Sequence, residues 1–390
     1  MKLYDFYISI RNQFVDTASK LLFNGNNLPN EKESVLVVRL DSIGDFVLWL
    51  DSLSALRELF PQNKYKLVLL GNILWRELAE SCQLFDEFIF VDKYELSYQV
   101  HYRLNVWKKL RSLKWAYTIH PTFSRDFNCS DSAVRISGAA VRIGSTGDLS
   151  NQSAWLNRIS NRWYTRLLPA SSEPLMELER NAEFIRALGL KDFRAGLPRL
   201  SVHWKLPPNF GAHDYIVVVP GGSLAIKQWP VERFAEICER IHQNLGVTVI
   251  VCGGQSDMHL GRRLHGLANC EEKAWIEDWT GKTTLVELAT IIKGARFLVG
   301  NDSSAVHIAS AVGIPVFCVV GGGHFGRFIP YRCEKHTTNP MPIPIFHKLE
   351  CYGCNLRCSK VSGYSTAGSC ISLITVEDVW KKIAEFSQTL

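Results

Sequence analysis

Ser34-Val35-Leu36-Val37-Val38-Arg39-Leu40, followed at once by Asp41-Ser42-Ile43-Gly44-Asp45, sets the fold of this chain. The first seven residues are almost continuously apolar and rich in valine, the pattern of a strand buried on both faces of a parallel sheet. The next five hold one glycine and two carboxylates. Beyond them Leu48, Ser52, Ala55, Leu56 and Leu59 share one helical face, and Pro61 stops the helix. The rhythm repeats, with strands predicted at 65–70, 88–91 and 115–120 and helices at 74–81 and 107–113. Strand alternating with helix predicts a parallel, doubly wound sheet.

Residues 145–175 lose the rhythm and are rich in Ser, Asn, Trp and Arg. A helix is predicted at 177–188. The stretch 194–210, with Pro198, Pro207 and Pro208, reads as a linker. Then the pattern restarts at Tyr215–Val219. Helices are predicted at 231–245, 257–265, 285–292, 304–311 and 376–386, with strands at 248–252, 297–299 and 316–320. The expected class is α/β, with two Rossmann-like doubly wound domains at 34–205 and 206–375. A helical extension (1–33) precedes them and a final helix (376–390) follows. In the extension, Leu3, Phe6/Tyr7, Ile10, Phe14, Ala18 and Leu21/Leu22 recur at steps of three and four until Asn24-Gly25-Asn26-Asn27 breaks the helix. Such a stripe suits packing on the body or on a sister subunit, and also a membrane surface.

The 390 residues are 46% hydrophobic and 21% charged, which excludes a disordered or low-complexity chain. No apolar run reaches the roughly 18 residues of a membrane span. Asp5, Arg11, Asn12 and Gln13 interrupt any signal-peptide core, so a cytoplasmic location is expected. Residues 1–210 hold 27 basic and 22 acidic side chains, whereas 211–390 hold 17 and 16. Within the first half, 93–166 hold 12 basic and 4 acidic, a field that attracts anionic partners. No nucleic-acid module accompanies it.

Four loops at strand ends can carry chemistry. Pro220-Gly221-Gly222-Ser223, with Lys227 beyond it, offers close backbone approach, a hydroxyl and a cation, which suit a diphosphate. A tight turn with a surface lysine accounts for the same residues. Asn301-Asp302-Ser303-Ser304 ends a strand and opens a helix, a second anion site, with His307 one turn inside. A capped helix with a buried histidine is the plainer reading. Gly321-Gly322-Gly323-His324-Phe325-Gly326 spells a dinucleotide fingerprint, but no helix is predicted after it, so it is discounted. At the first loop, Asp45 starts a helix, either as a plain cap or as a carboxylate able to take a proton.

Together these loops resemble glycosyltransferase family 9, the bacterial heptosyltransferases. The similar segments are Val35–Asp45, Val219–Phe234 and Val299–Pro315, supported by Val141–Gly144, Glu179–Asn181 and Trp279–Leu285. The resemblance implies a GT-B fold whose final helix returns to the first domain. It also implies inverting transfer from a nucleotide sugar, most often ADP-heptose, without a catalytic divalent metal. The acceptor would be an acidic glycolipid or glycan of the lipopolysaccharide core, reached from the cytoplasmic face of the inner membrane. Residue by residue, Asp45 matches the base. Ser223 and Lys227 match the donor-phosphate loop, and Asp302, Ser303, Ser304 and His307 the second donor loop. Gly254 and Asp257 lie where the nucleoside would be held. Arg125, Arg135 and Arg142 are candidate acceptor contacts. A nucleotide-sugar 2-epimerase and a non-catalytic nucleotide-sugar-binding protein are the alternatives.

Four of the eleven cysteines cluster as Cys351-x2-Cys354-x3-Cys358-x11-Cys370. This spacing resembles a knuckle for structural zinc or iron, and an iron-binding finger stands here in one branch of the family. Free thiols and a disulfide are the alternatives.

Overall fold

The apolar tract at Ser34 becomes the centre of a sheet. A computed structural model describes residues 3–23, 32–201, 210, 214–268, 275–333, 339–360 and 366–387. The expected breaker at 24–27, the linker's Pro207 and Pro208, and Cys270 lie outside the described residues. The chain forms two compact units. One is Met1–Glu173 with Glu179–Ala195, and the other is Pro174–Leu178 with Gly196–Leu390. The boundary thus falls before the expected 205.

The first unit contains α1 (Leu3–Leu22), β1 (Glu33–Arg39), α2 (Ile43–Leu59), β2 (Tyr65–Asn72), α3 (Arg76–Ser81) and β3 (Glu87–Val91). It continues through α4 (Lys93–Tyr98), α5 (Val100–Arg111), β4 (Tyr117–His120), α6 (Ser132–Ser137), β5 (Val141–Ser145), α7 (Ala154–Asn161) and β6 (Arg166–Leu168). Most of α8 (Glu177–Leu188) belongs to it. Its sheet has the order β3-β2-β1-β4-β5-β6, all parallel. From Val35 onward β1 is buried, as its valine run requires. The stretch that loses the sequence rhythm, 145–175, holds α7 and the edge strand β6. Three residues long, β6 is too short to show a period.

The second unit contains β7 (Tyr215–Val219), α9 (Val231–Leu245), β8 (Thr248–Val251), α10 (Met258–Leu267), β9 (Ile276–Asp278) and α11 (Leu285–Gly294). Then follow β10 (Leu298–Asn301), α12 (Ser304–Val312), β11 (Val316–Val319), β12 (Ile343–Ile345), α13 (Ser369–Ser372) and α14 (Val376–Ser387). The parallel order is β12-β11-β10-β7-β8-β9. Each sheet therefore reverses its winding once, between β1 and β4 in one unit and between β7 and β10 in the other. Ligands of such sheets bind at the carboxyl ends of those strands. The final helix, expected to return to the first domain, buries Val376, Val379 and Ile383 in the second unit's core with Trp229 and Phe317.

The docking of α1 departs from its sequence pattern. Its buried side chains are Ile8, Ser9, Asn12, Asp16 and Ser19, four of them polar. Asp16 accepts from Arg103 Nε (2.7 Å) and Nη2 (2.8 Å) and from Trp107 Nε1 (2.7 Å). Asn12 Nδ2 donates to the Ser97 carbonyl at 3.0 Å. Tyr7, Phe14, Leu21 and Leu22 are exposed. The apolar stripe thus does not pack on the body. Buried donors on α5 select the polar face, because an unpaired buried guanidinium would cost several kcal/mol.

Candidate active site

In the second unit, Asn301 at the end of β10 is fully buried and clamps the glycine loop that follows β7. Its Nδ2 donates to the carbonyls of Pro220 (2.7 Å) and Gly221 (3.1 Å), and its Oδ1 accepts from the Trp229 amide (2.9 Å). Gln228 Nε2 donates to the Gly222 carbonyl at 2.9 Å. Gly221 is needed for close approach: a Cβ there would lie 2.3 Å from Asp257 Cγ. Asp257 Oδ2 also accepts from the Gly254 amide at 2.9 Å. Gly254 and Asp257 thereby brace this loop, while Ser223 stands exposed at its tip.

Past the tip, Lys227 Nζ reaches Asp302 Oδ2 at 2.8 Å. Burial pushes the Asp302 carboxyl up, but the Lys227 charge, helped by His307, outweighs it and holds the group below its ordinary value. One residue on, Ser303 takes the extended N-cap conformation of α12 without making the cap hydrogen bond. Its Oγ is buried and has no hydrogen-bond partner among the described residues. The nine-residue helix from Ser304 thus presents its first amides and a hydroxyl at its positive end, although the Val306 amide already donates to the Ser303 carbonyl at 3.2 Å. His307 lies inside the helix, buried, with Nδ1 2.8 Å from Tyr331 Oη and its ring stacked on that of Tyr331.

Lys227 and Asp302 border a pocket that Gly321–His324 and Cys351, Cys354, Cys358 and Cys370 also line. The cysteine loop lies directly on Gly322 and Gly323, and Ile371 and Cys370 lie against Gly321. A Cβ at Gly322 would meet Tyr352 at 2.5 Å, and one at Gly323 would meet Leu356 at 2.2 Å. No helix follows, so this segment is not a dinucleotide loop. Cys370 Sγ accepts from the Gly322 amide at 3.3 Å. The four thiols are soft donors and are unpaired. Among the described residues, no three His, Cys, Asp or Glu side chains converge to hold a metal ion.

In the first unit, Asp45 is the third residue of α2, and its Oδ2 accepts from the Ser42 amide at 3.3 Å. Its carbonyl accepts from Arg39 Nη2 at 3.1 Å. Arg39 is buried over the Trp49 ring, paired with Asp41 at 2.8 Å and donating to Asn181 Oδ1 at 3.1 Å. Across the switch, His120 ends β4 and the segment 121–125 follows it. Arg125 is buried over Tyr164, donates to Asn157 (2.6 Å) and Asn161, and lies 3.6 Å from Asp131. Buried His120 Nε2, Thr122 Oγ1 and Arg125 Nε have no hydrogen-bond partner among the described residues. Arg135 and Arg142 are elsewhere. Arg135 donates to Thr17 of α1 (3.0 Å), and Arg142 to the Trp163 carbonyl (2.6 Å).

The glycosyltransferase family 9 (heptosyltransferase) model matches residues 175–342. Residues 175–342 are thus similar to glycosyltransferase family 9. Lipopolysaccharide heptosyltransferase 3 of Escherichia coli is 27% identical over 197 residues, which are 48% of this chain and 56% of that relative. The chain thus spans about half the length of this curated relative. Among solved structures, ADP-heptose lipopolysaccharide heptosyltransferase II of Escherichia coli superposes with a TM-score of 0.67 at 18% identity, covering 92% of this chain and 100% of that one. Escherichia coli heptosyltransferase WaaC, solved with ADP-2-deoxy-2-fluoro heptose, gives 0.64 at 17%, covering 90% and 99%. The fold is GT-B. The family 9 match contains both loops of the second switch point and ends before the cysteine cluster. Sequence reasoning placed Asn301 in the second anion loop without giving it a role, and assigned none to Arg39 or His120. A lone asparagine ending a strand was the only signal for the first.

Proposed function

We propose that this chain is a glycosyltransferase that moves a heptose from ADP-heptose to a hydroxyl of a lipopolysaccharide-core acceptor, with inversion and without a catalytic divalent metal. The observation that carries this reading is the pairing of Lys227 with the uncapped start of α12, where Ser303 Oγ is buried and unmatched. A nucleoside diphosphate supplies the acceptors these donors lack. The bound ADP-heptose analogue of WaaC supports the choice of donor.

In the proposed reaction the acceptor oxygen attacks the anomeric carbon opposite the nucleotide. The bond from that carbon to the diphosphate oxygen breaks, and the bonding pair leaves with the diphosphate. Lys227 and the α12 dipole stabilise the growing negative charge. Asp45 takes the hydroxyl proton, an assistance typically worth about 10²–10⁴-fold. The orphaned polar atoms of His120, Thr122 and Arg125 support an acidic acceptor on the first unit.

Asp45→Ala tests the assignment: transfer should fall at least 100-fold while nucleotide binding, followed by thermal shift, is kept. Near-full turnover overturns the role of Asp45, and nucleotide release without acceptor overturns transfer itself. For the four cysteines we propose a structural zinc or iron, which requires their thiols to turn toward one another. Less than a tenth of an equivalent of either metal in freshly purified protein overturns it.

A further inference from the structure

The orientation of α1 calls for a partner. Its polar face is inside and its apolar face is outside, the reverse of a helix packed on a soluble core. Tyr7, Phe14, Leu21 and Leu22 are 61%, 74%, 77% and 73% exposed. Tyr7, Phe14 and Leu21 are seven residues apart and form one outward stripe. The stripe widens sideways, because Phe6 meets Trp155 of α7 at 5.8 Å and Trp155 is itself 48% exposed.

Cations surround this patch. Lys20 is exposed, and Arg135, Arg111 and Arg142 lie close enough that their charges lower its pKa, after burial. Arg135 is tied to Thr17, an exposed residue three after Phe14. The exposed Arg158 of α7 and Arg162, the residue that caps its C-terminus, follow Trp155 at three and seven residues, on the same side. No acidic residue occurs from 149 to 172. The two acidic residues of α1 are Asp5 and Asp16, and Asp16 is buried against Arg103.

We propose that the outward face of α1, with Trp155 and its flanking cations, is a docking surface for an anionic phospholipid bilayer, α1 lying in the membrane plane. Amphipathic helices with aromatic and leucine residues on one side and flanking cations bind such interfaces. A second copy of this chain fits less well. A two-fold contact through the patch would bring one cation-flanked surface against another, with no acidic residue from 149 to 172 to offset it. The inference stands on this surface and not on the transferase reading.

The test is co-sedimentation of the full chain with vesicles of phosphatidylglycerol and phosphatidylethanolamine, free of any glycolipid. Binding is expected, at least tenfold weaker on phosphatidylcholine alone and weakened by salt. Phe14→Ser with Leu21→Ser should reduce it at least tenfold, and Arg158→Glu with Arg162→Glu at least fivefold on anionic vesicles only. All four positions are solvent-exposed, and unchanged melting temperatures confirm that the variants fold. Equal binding by wild type and variants overturns the proposal. So does a wild-type dimer that Phe14→Ser disperses while no vesicle binds, and so does a monomer that ignores anionic vesicles. Vesicle binding kept in the Asp45→Ala variant separates this inference from the transferase reading.

Discussion

Lys227 Nζ and Asp302 Oδ2 meet at 2.8 Å, although 75 positions separate them in the chain. The two loops that contribute them follow adjacent strands, β7 and β10, so the contact spans the second switch point. The ion pair keeps the ammonium in place while leaving it donors for a phosphate. Lys227→Ala should raise the donor KM at least tenfold. The melting temperature should also fall, because Asp302 would be left buried without its cation. Donor titration and a thermal melt check both.

Asn301 acts through the glycine loop and not on the donor. Asn301→Ala removes three hydrogen bonds to Pro220, Gly221 and Trp229. Stability should drop by roughly 2–3 kcal/mol, and donor affinity should fall with it. Asn301→Asp keeps the acceptor for Trp229 but turns a carboxylate toward two carbonyls, so it should not rescue affinity. Denaturant unfolding and donor KM, measured on both variants, separate this positioning role from a general loss of fold.

The Gly221–Asp257 contact can be tested by a double-mutant cycle. Gly221→Ala places a methyl 2.3 Å from the Asp257 carboxyl carbon and should destabilise by about 1–3 kcal/mol. Asp257→Ala removes the obstacle, so the double variant should be more stable than the sum of the two single effects. Additive effects would show that the two residues are not coupled.

Asp126 makes the first unit sensitive to acid. Burial pushes its carboxyl up, but Lys93 at 3.4 Å and hydrogen bonds from Ser130 and Cys129 bring it down to about 2. Its folded value lies below its unfolded one, so its stabilisation is present above about pH 4. That contribution is lost as pH falls toward about 2. Asp126→Asn should cost on the order of 1–2 kcal/mol at pH 7 and flatten this part of the profile. Urea midpoints between pH 2 and pH 7 provide the measurement.

Sequence patterns revealed those features that depend on neighbouring residues. Buried strands such as β1 and β7 are continuous apolar runs, and the loops after β7 and β10 follow them directly. The direction of α1 was not readable, because a stripe of Tyr7, Phe14 and Leu21 has the same period whether it faces a core or solvent. Its facing depends on Arg103 and Trp107, 87 and 91 residues beyond Asp16. Arg125 was legible as a cation but not as a buried one. The short edge strands β6, β9 and β12 were missed because three residues cannot display a period.

The Asp16–Arg103 pair has a bearing on how small the first unit can be made. Arg103 is buried and takes its counter-ion from a helix that precedes the first strand. A truncated chain starting at Glu33 would keep the guanidinium and lose the carboxylate, together with the acceptor of the Trp107 indole. The helix is therefore an integral piece of its folding unit, and cutting it away to improve crystallisation or expression would trade an exposed greasy surface for an uncompensated interior charge.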